Sequence, residues 1–208
     1  MEFKFPERKH KVAIIGAGRL GSRVFRNLVE THRDTLKEIA VWDGARVDGK
    51  DTYLLSIGAK IGEPKVEFLK RKFKHSEKKI KAINRYCLPK DWKTLKDYDV
   101  IVFVPAGGDT LKLLHRLVLK LRKTPFVVSN GVFGFGDETP RVWKPPFKHP
   151  EGPLSIYLGR FKTVPKNTVW VGTGKLIRDG LPATPTVMEK IAEKITAEVF
   201  KILLSYNG

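Results

Sequence analysis

Gly16-Ala17-Gly18-Arg19-Leu20-Gly21 is the stretch of this chain whose residue types and spacing most directly imply a chemistry. In a Gly-x-Gly-x-x-Gly pattern the first glycine makes a tight turn. The second lets the backbone approach a phosphate, and the third lets a helix pack closely on a strand. A helix starting there aims free N–H groups and a positive dipole end at an anion. The pattern alone is weak, and its context carries the weight. The apolar run Lys11–Ile15 precedes it, a helical pattern follows, and Asp43 closes the next apolar run, Ile39–Trp42, 22 residues beyond Gly21. A carboxylate at that place accepts hydrogen bonds from ribose hydroxyls and disfavours a 2′-phosphate, so NAD or ATP is expected ahead of NADP.

Other residues carry two readings each. Lys65 follows Pro64 at a helix start, where it either faces phosphates or lies on a solvated face. Asp109 heads a helix, as an N-cap alone or as a cap with a site role. Cys87 reads as a small buried hydrophobe rather than a nucleophile. As the single cysteine it excludes an internal disulfide and a multi-cysteine zinc site. The five histidines show no metal-ligand spacing, and His115 reads as structural. Phe133, Phe135, Trp143 and Phe147 read as core or interface rather than as a base-stacking platform.

The elements that must position these residues follow from hydrophobic patterning. Strands are expected at Lys11–Ile15, Ile39–Trp42, Asp99–Pro105 and Phe126–Ser129. Helices are expected after Gly21, over Lys65 to Lys81, over Thr110–Leu121 and, opened by Pro185, over Thr186–Ser205. Beyond Gly131 the chain is rich in Pro, Gly and aromatics, and short β segments are expected at Leu154–Leu158 and Thr168–Val171. Apolar strands alternating with amphipathic helices describe an α/β, Rossmann-like, mostly parallel sheet covered on both faces. The expected organisation is one nucleotide-binding domain over 1–208, with a core over 11–131 and an extension with a closing helix over 132–208.

Composition bounds the class. Hydrophobic content of 41% and charged content of 30% describe a globular chain. No apolar run approaches the roughly 20 residues that span a bilayer, and Met1–His10 lacks an apolar signal core. A soluble, cytoplasmic protein without membrane contact is expected. The net charge is +18, and the excess is local. Lys65–Arg85 holds nine Lys/Arg against two acids, and Arg141–Arg178 holds eight against one. Such clusters either keep the surface solvated or attract nucleic acid or an acidic partner.

Several segments resemble the ThiF/MoeB/HesA group of the ubiquitin-activating-enzyme superfamily. The glycine motif continues as Gly21-Ser22, and Ile61-Gly62-Glu63-Pro64-Lys65-Val66-Glu67 is similar to that family's IGxPKAE segment. Phe126–Gly136 resembles the strand leading into its G…GFxG turn, and Leu181–Pro185 its closing loop. The resemblance implies ATP and Mg²⁺ as cofactors, adenylation of a C-terminal glycine carboxylate on a ubiquitin-like or sulfur-carrier protein, and a homodimer. It implies nucleotide contacts at Gly16, Gly18, Arg19, Leu20, Gly21, Asp43, Lys65 and Ala106, with Lys65 and Asp109 catalytic and Asp109 the metal ligand.

The chain also departs from the family. Asp43-Gly44-Ala45 keeps the first Asp of DxD and loses the second. Lys50–Leu55 lacks the Asn-x-x-Arg-Gln segment, which leaves Arg46 or Lys50 to stand in for its arginine. The family's DATDN reads Val104–Thr110 here, with Asp109 displaced by about one residue, and no Cys-x-x-Cys pairs exist. Nucleotide binding is therefore expected, with adenylation impaired or altered. An NAD-dependent oxidoreductase is the first alternative, since Val102–Gly108 resembles a loop passing under a nicotinamide, although no Tyr-x-x-x-Lys pair follows. A basic, non-enzymatic binding module is the second.

Overall fold

The computed structural model describes residues 9–32, 36–107 and 109–205. The N-terminal residues 1–8 and Gly108 in the loop before Asp109, which enter the expectations above, lie outside them. In chain order the elements are β1 (His10–Ile15), α1 (Gly21–Glu30), β2 (Leu36–Trp42), α2 (Thr52–Ser56), α3 (Lys65–Lys72), β3 (Lys79–Ile83) and α4 (Trp92–Leu95). Then come β4 (Val100–Phe103), α5 (Thr110–Lys120), β5 (Phe126–Ser129), β6 (Arg141–Trp143), α6 (Gly152–Phe161), β7 (Thr168–Gly172) and α7 (Pro185–Ser205).

The strands form a seven-stranded sheet in the order β3-β2-β1-β4-β5-β7-β6. All neighbours pair parallel except β6, which runs antiparallel on β7. Parallel strands buried on both faces need apolar residues at successive positions, which is what Val12 to Ile15 and Val100 to Phe103 supply. Val12 and Ile14 join one core with Val24 and Leu28 of α1 and Ile191, Ile195 and Val199 of α7. Ala13 and Ile15 join the other, with Leu114 and Leu117 of α5 and Leu154 and Tyr157 of α6. Strand order reverses between β1 and β4, so their carboxyl ends diverge into a crevice, the usual ligand position in an open α/β sheet.

Two expected elements change. Leu154–Leu158 is not a β segment but the middle of α6, which has a proline in its first turn and buries Leu154 and Tyr157. Leu154, Tyr157, Leu158 and Phe161 recur at helical spacing, which outweighs the aromatic-rich composition that suggested strand. The helix expected from Lys65 to Lys81 is a helix followed by a strand. α3 stops at Lys72, and Lys79–Ile83 pairs parallel with β2 as β3, the edge of the sheet. Lys79, Ile80, Lys81 and Ala82 alternate with period two, as a half-exposed strand requires. The inner face of α7 is used within the chain: Val187, Ile191, Ile195, Val199 and Leu203 are all fully buried.

The glycine loop is sterically fixed at both ends. Gly16 has φ +103°, and a Cβ there would lie 2.8 Å from Pro105 Cα and from the Val104 carbonyl oxygen. A Cβ on Gly21 would lie 1.9 Å from the Gly16 carbonyl oxygen. Gly21→Ala is therefore expected to push α1 off the loop and cost about 1–3 kcal/mol, the range of an overpacked core. Thermal denaturation checks this, and an unchanged melting temperature would contradict the contact.

Candidate nucleotide-binding site

A cavity of about 450 Å³ opens at the carboxyl ends of β1, β2 and β4, where the strand order reverses. Its floor is Ile15, Gly16 and Gly18, one wall is Trp42, Asp43 and Ala45, and the opposite wall is Pro105, Ala106 and Gly107. Lys65, Tyr86, Cys87, Thr110 and Leu113 complete it. A roomier cleft of about 610 Å³ lies elsewhere, between the end of α1, the start of β2 and the turn after α3. It is at the amino ends of the strands, away from the glycine loop, and the chemistry of the motif points to the first cavity.

The loop is built to receive an anion. The Gly16 amide donates to the Trp42 carbonyl at 2.8 Å, which ties β1 to β2. Ser22 donates both its amide (2.9 Å) and its hydroxyl (2.8 Å) to the Gly18 carbonyl, so the chain already turns helically at Gly18. Among the described residues nothing accepts from the amides of Gly18, Arg19 and Leu20. A Cβ on Gly18 would meet nothing within 4 Å, so the space in front of the loop is open.

Asp43 fastens the corner beside the loop. Its Oδ2 accepts from the Ala17 amide at 2.7 Å and its Oδ1 from the Ala45 amide at 2.8 Å. A carboxylate has about four acceptor positions, so each oxygen retains one for a ribose hydroxyl.

Lys65 is buried at the head of α3, with its Nζ 2.9 Å from Oδ1 of Asp51. Asp51 also accepts from the Asp48 amide at 3.0 Å. The lysine thus lines the cavity while neutralising a buried carboxylate. Asp109 behaves differently. Its carboxylate caps α5 by accepting from the Lys112 amide at 3.3 Å, and it forms a two-pronged pair with Arg160 at 2.7 and 3.0 Å. That guanidinium holds Asp109 below the usual carboxylate range. Asp109 is exposed and does not line the cavity, and the described residues include no cluster of three or more His, Cys, Asp or Glu suited to a metal. Arg46, considered as a replacement arginine, donates to the Gly62 carbonyl at 2.7 Å instead.

The segment after β3 contributes what the sequence did not reveal. Tyr86 is exposed and packs its ring on Gly44, and Cys87 lies buried beside it. Arg85 and Asp91 pin this turn with two hydrogen bonds of 2.7 and 2.9 Å, and the Leu88 amide adds another at 2.7 Å. The period-two pattern of Lys79–Ile83 was the available signal, because a parallel strand there must deliver residues 84–88 to the crevice. Burial pushes the Cys87 thiol up to about 12. It is therefore protonated at neutral pH and is not poised as a nucleophile.

Fold and crevice together define a Rossmann-type nucleotide-binding architecture. No protein-family profile matches the chain. The uncharacterized protein MJ0693 of Methanocaldococcus jannaschii is 35% identical over 199 residues, covering 95% of this chain and 78% of that one. HcgE from Methanothermobacter marburgensis, in its guanylylpyridinol- and ATP-bound structure, is 34% identical with a TM-score of 0.87, covering 98% of this chain and 100% of that one. TcdA, the tRNA N6-threonylcarbamoyladenosine dehydratase of E. coli, shares the fold in its AMP complex with a TM-score of 0.76 at 15% identity, covering 95% and 87%. The chain belongs to the ThiF/MoeB-like family that includes HcgE.

Two outcomes follow from this geometry. Because burial pushes the Cys87 thiol up to about 12, alkylation of Cys87 at pH 8 should run far more slowly in the folded than in the unfolded protein. Because the folded value is the higher one, Cys87 costs stability only as pH rises above the unfolded value. Rapid labelling of folded protein by iodoacetamide would contradict the burial. Separately, Lys65→Ala should lower stability by about 3–5 kcal/mol, because it leaves the Asp51 carboxylate buried without its partner. Urea denaturation of Lys65→Ala, with the double variant Lys65→Ala/Asp51→Ala recovering part of the loss, measures it.

Proposed function

We propose that this chain is an ATP-dependent adenylyltransferase of the HcgE kind, which binds ATP across the glycine loop and transfers its AMP moiety to the carboxylate of a small acceptor. The observation that carries the reading is the juxtaposition, at the strand-order reversal, of unengaged loop amides with Asp43 and Lys65. It is supported by the ATP and guanylylpyridinol held by HcgE, a relative aligned over essentially both chains. In the reaction a carboxylate oxygen attacks the α-phosphorus, the bond to the β-phosphate breaks, and pyrophosphate leaves. Preorganised donors at the developing charge are the main source of acceleration in such a transfer, each worth about 3–4 kcal/mol. In this reading the amides of Gly18 to Leu20 and the Lys65 ammonium serve as those donors, and Asp43 holds the ribose.

The acceptor is proposed to be a guanylylated small molecule rather than the ubiquitin-like or sulfur-carrier tail implied by the broader family, because the relative with bound ligands holds guanylylpyridinol. A catalytic or Mg²⁺-holding role for Asp109 requires displacement of Arg160, and the described residues do not otherwise assemble a magnesium site, so no step is assigned to a metal. The NAD reading has nothing further in its favour: Pro105, Ala106 and Gly107, the heart of the loop that suggested it, line the ATP cavity equally well. Homodimerisation, a cytoplasmic location and a nucleic-acid contact of the basic surface stay part of the proposal, on resemblance and charge alone.

A thermal-shift series with ATP, AMP and NAD, each with and without Mg²⁺, tests the binding step. ATP at about 100 times its dissociation constant should add roughly 2.7 kcal/mol, and NAD should add nothing. Gly18→Val is the cleaner variant. Its side chain enters open space, so it should fold normally and lose the ATP shift. Asp43→Ala should lose it as well, while also freeing the Ala17 and Ala45 amides. ATP–pyrophosphate exchange that depends on added guanylylpyridinol would establish the transfer. An ATP shift that persists in both variants would refute the site.

A further inference from the structure

We propose that Arg19 measures the length of the nucleotide's phosphate chain: its guanidinium binds the β- and γ-phosphates of ATP and stabilises pyrophosphate as it leaves the α-phosphorus. The inference rests on the nucleotide reading above and assigns the charge that the missing Asn-x-x-Arg-Gln segment would otherwise supply.

Four other cations around the loop are already committed. Lys65 is held by Asp51 at 2.9 Å. Arg46 is turned to the Gly62 carbonyl. Arg23 is buried, stacked 4.0 Å from the Tyr53 ring centroid and bonded to Glu189 of α7 at 3.1 Å. Arg26 shares the same Glu189. Arg19 differs from all four. It lies within the glycine motif, immediately after Gly18, it is exposed, and its guanidinium has no partner among the described residues.

Its backbone is nevertheless fixed. Arg23 Nη1 donates to the Arg19 carbonyl at 2.7 Å, and Arg23 is in turn anchored to α7. Leu20, the next residue, is buried in the core. Arg19 is thus an immobilised backbone carrying a free, permanently charged fork beside three unengaged amides. A guanidinium matches two phosphate oxygens at once, which an ammonium does not. Amides at a helix start suit one phosphate group, so a second and third phosphate need a further donor, and Arg19 is the uncommitted cation on the loop itself.

Calorimetric titration of the full chain with ATP, ADP and AMP tests this. Wild type should bind ATP more tightly than AMP. Arg19→Ala should weaken ATP by roughly 10- to 100-fold, the range for losing hydrogen bonds to a charged group, and change AMP by less than about threefold. Arg19→Lys should recover part of the ATP affinity. Lys120→Ala, which removes one positive charge at the far end of α5, should leave all three ligands unchanged. Wild-type preference for ATP that survives Arg19→Ala, or that is lost in Lys50→Ala instead, overturns the assignment while leaving the nucleotide site standing. Equal loss of ATP and AMP in Arg19→Ala overturns it too, since that marks a general loop defect. Failure of wild type to bind any of the three overturns the nucleotide reading and this proposal with it.

Discussion

One carboxylate holds the site together. Asp43 accepts an amide from the glycine loop on one oxygen and an amide from its own turn on the other. The loop after β1 and the turn after β2 are thereby locked to each other before any ligand arrives. Charge-assisted hydrogen bonds of this kind are about twice as strong as neutral ones, and here they replace contacts that a flexible glycine loop cannot make by packing. The Gly16 amide bond to the Trp42 carbonyl reinforces the same junction. With the corner rigid, the open amides of Gly18 to Leu20 keep a fixed direction, and the entropy of ordering them is met during folding rather than during binding.

The sequence exposed the parts of this arrangement that are local. Three glycines at fixed spacing, an apolar strand on either side and an acid at the end of the second are all contained within 33 residues, from Lys11 to Asp43. The closing helix was legible for the same reason, since its apolar period runs from Val187 to Leu203 without interruption. What stayed hidden is tertiary. Lys65 meets Asp51 across 14 positions, and Asp109 meets Arg160 across 51. Neither partner has a pattern that announces it. The turn carrying Tyr86 and Cys87 was lost because a run of lysines masked the alternation of β3. Charge dominated composition there, while burial of Ile80 and Ala82 against the core decided the conformation.

The surplus of positive charge is organised around a few acids. Glu38, nearly buried at β2, takes Lys81 at 2.7 Å and Lys79 at 3.9 Å across the sheet edge. Glu198, 2% exposed on α7, takes Lys144 at 2.8 Å and Lys201 at 2.6 Å. Exposed ion pairs contribute little by themselves, but a carboxylate withdrawn from water needs compensation. Each of these acids is surrounded by two long, half-solvated lysines that bring the charge to it without being buried themselves. Part of the lysine excess therefore serves the interior, and the remainder forms the outward field.

The bond from Arg23 to Glu189 spans 166 positions and joins the first helix to the last. α7 packs on α1 and on β4, β5 and β7, so the layer behind the glycine loop is closed by a helix far from it in the sequence. During synthesis the loop, its acid and its strands all leave the ribosome long before that helix is made. Until it arrives, the apolar faces of Val12, Ile14, Val24 and Leu28 lack their cover, and Arg23 lacks the anchor through which it steadies Arg19. The emerging polypeptide thus carries the complete nucleotide motif before it has the scaffold that makes the motif rigid. Emergence of the 21 residues of α7, Pro185–Ser205, is the event that supplies this scaffold to the glycine loop.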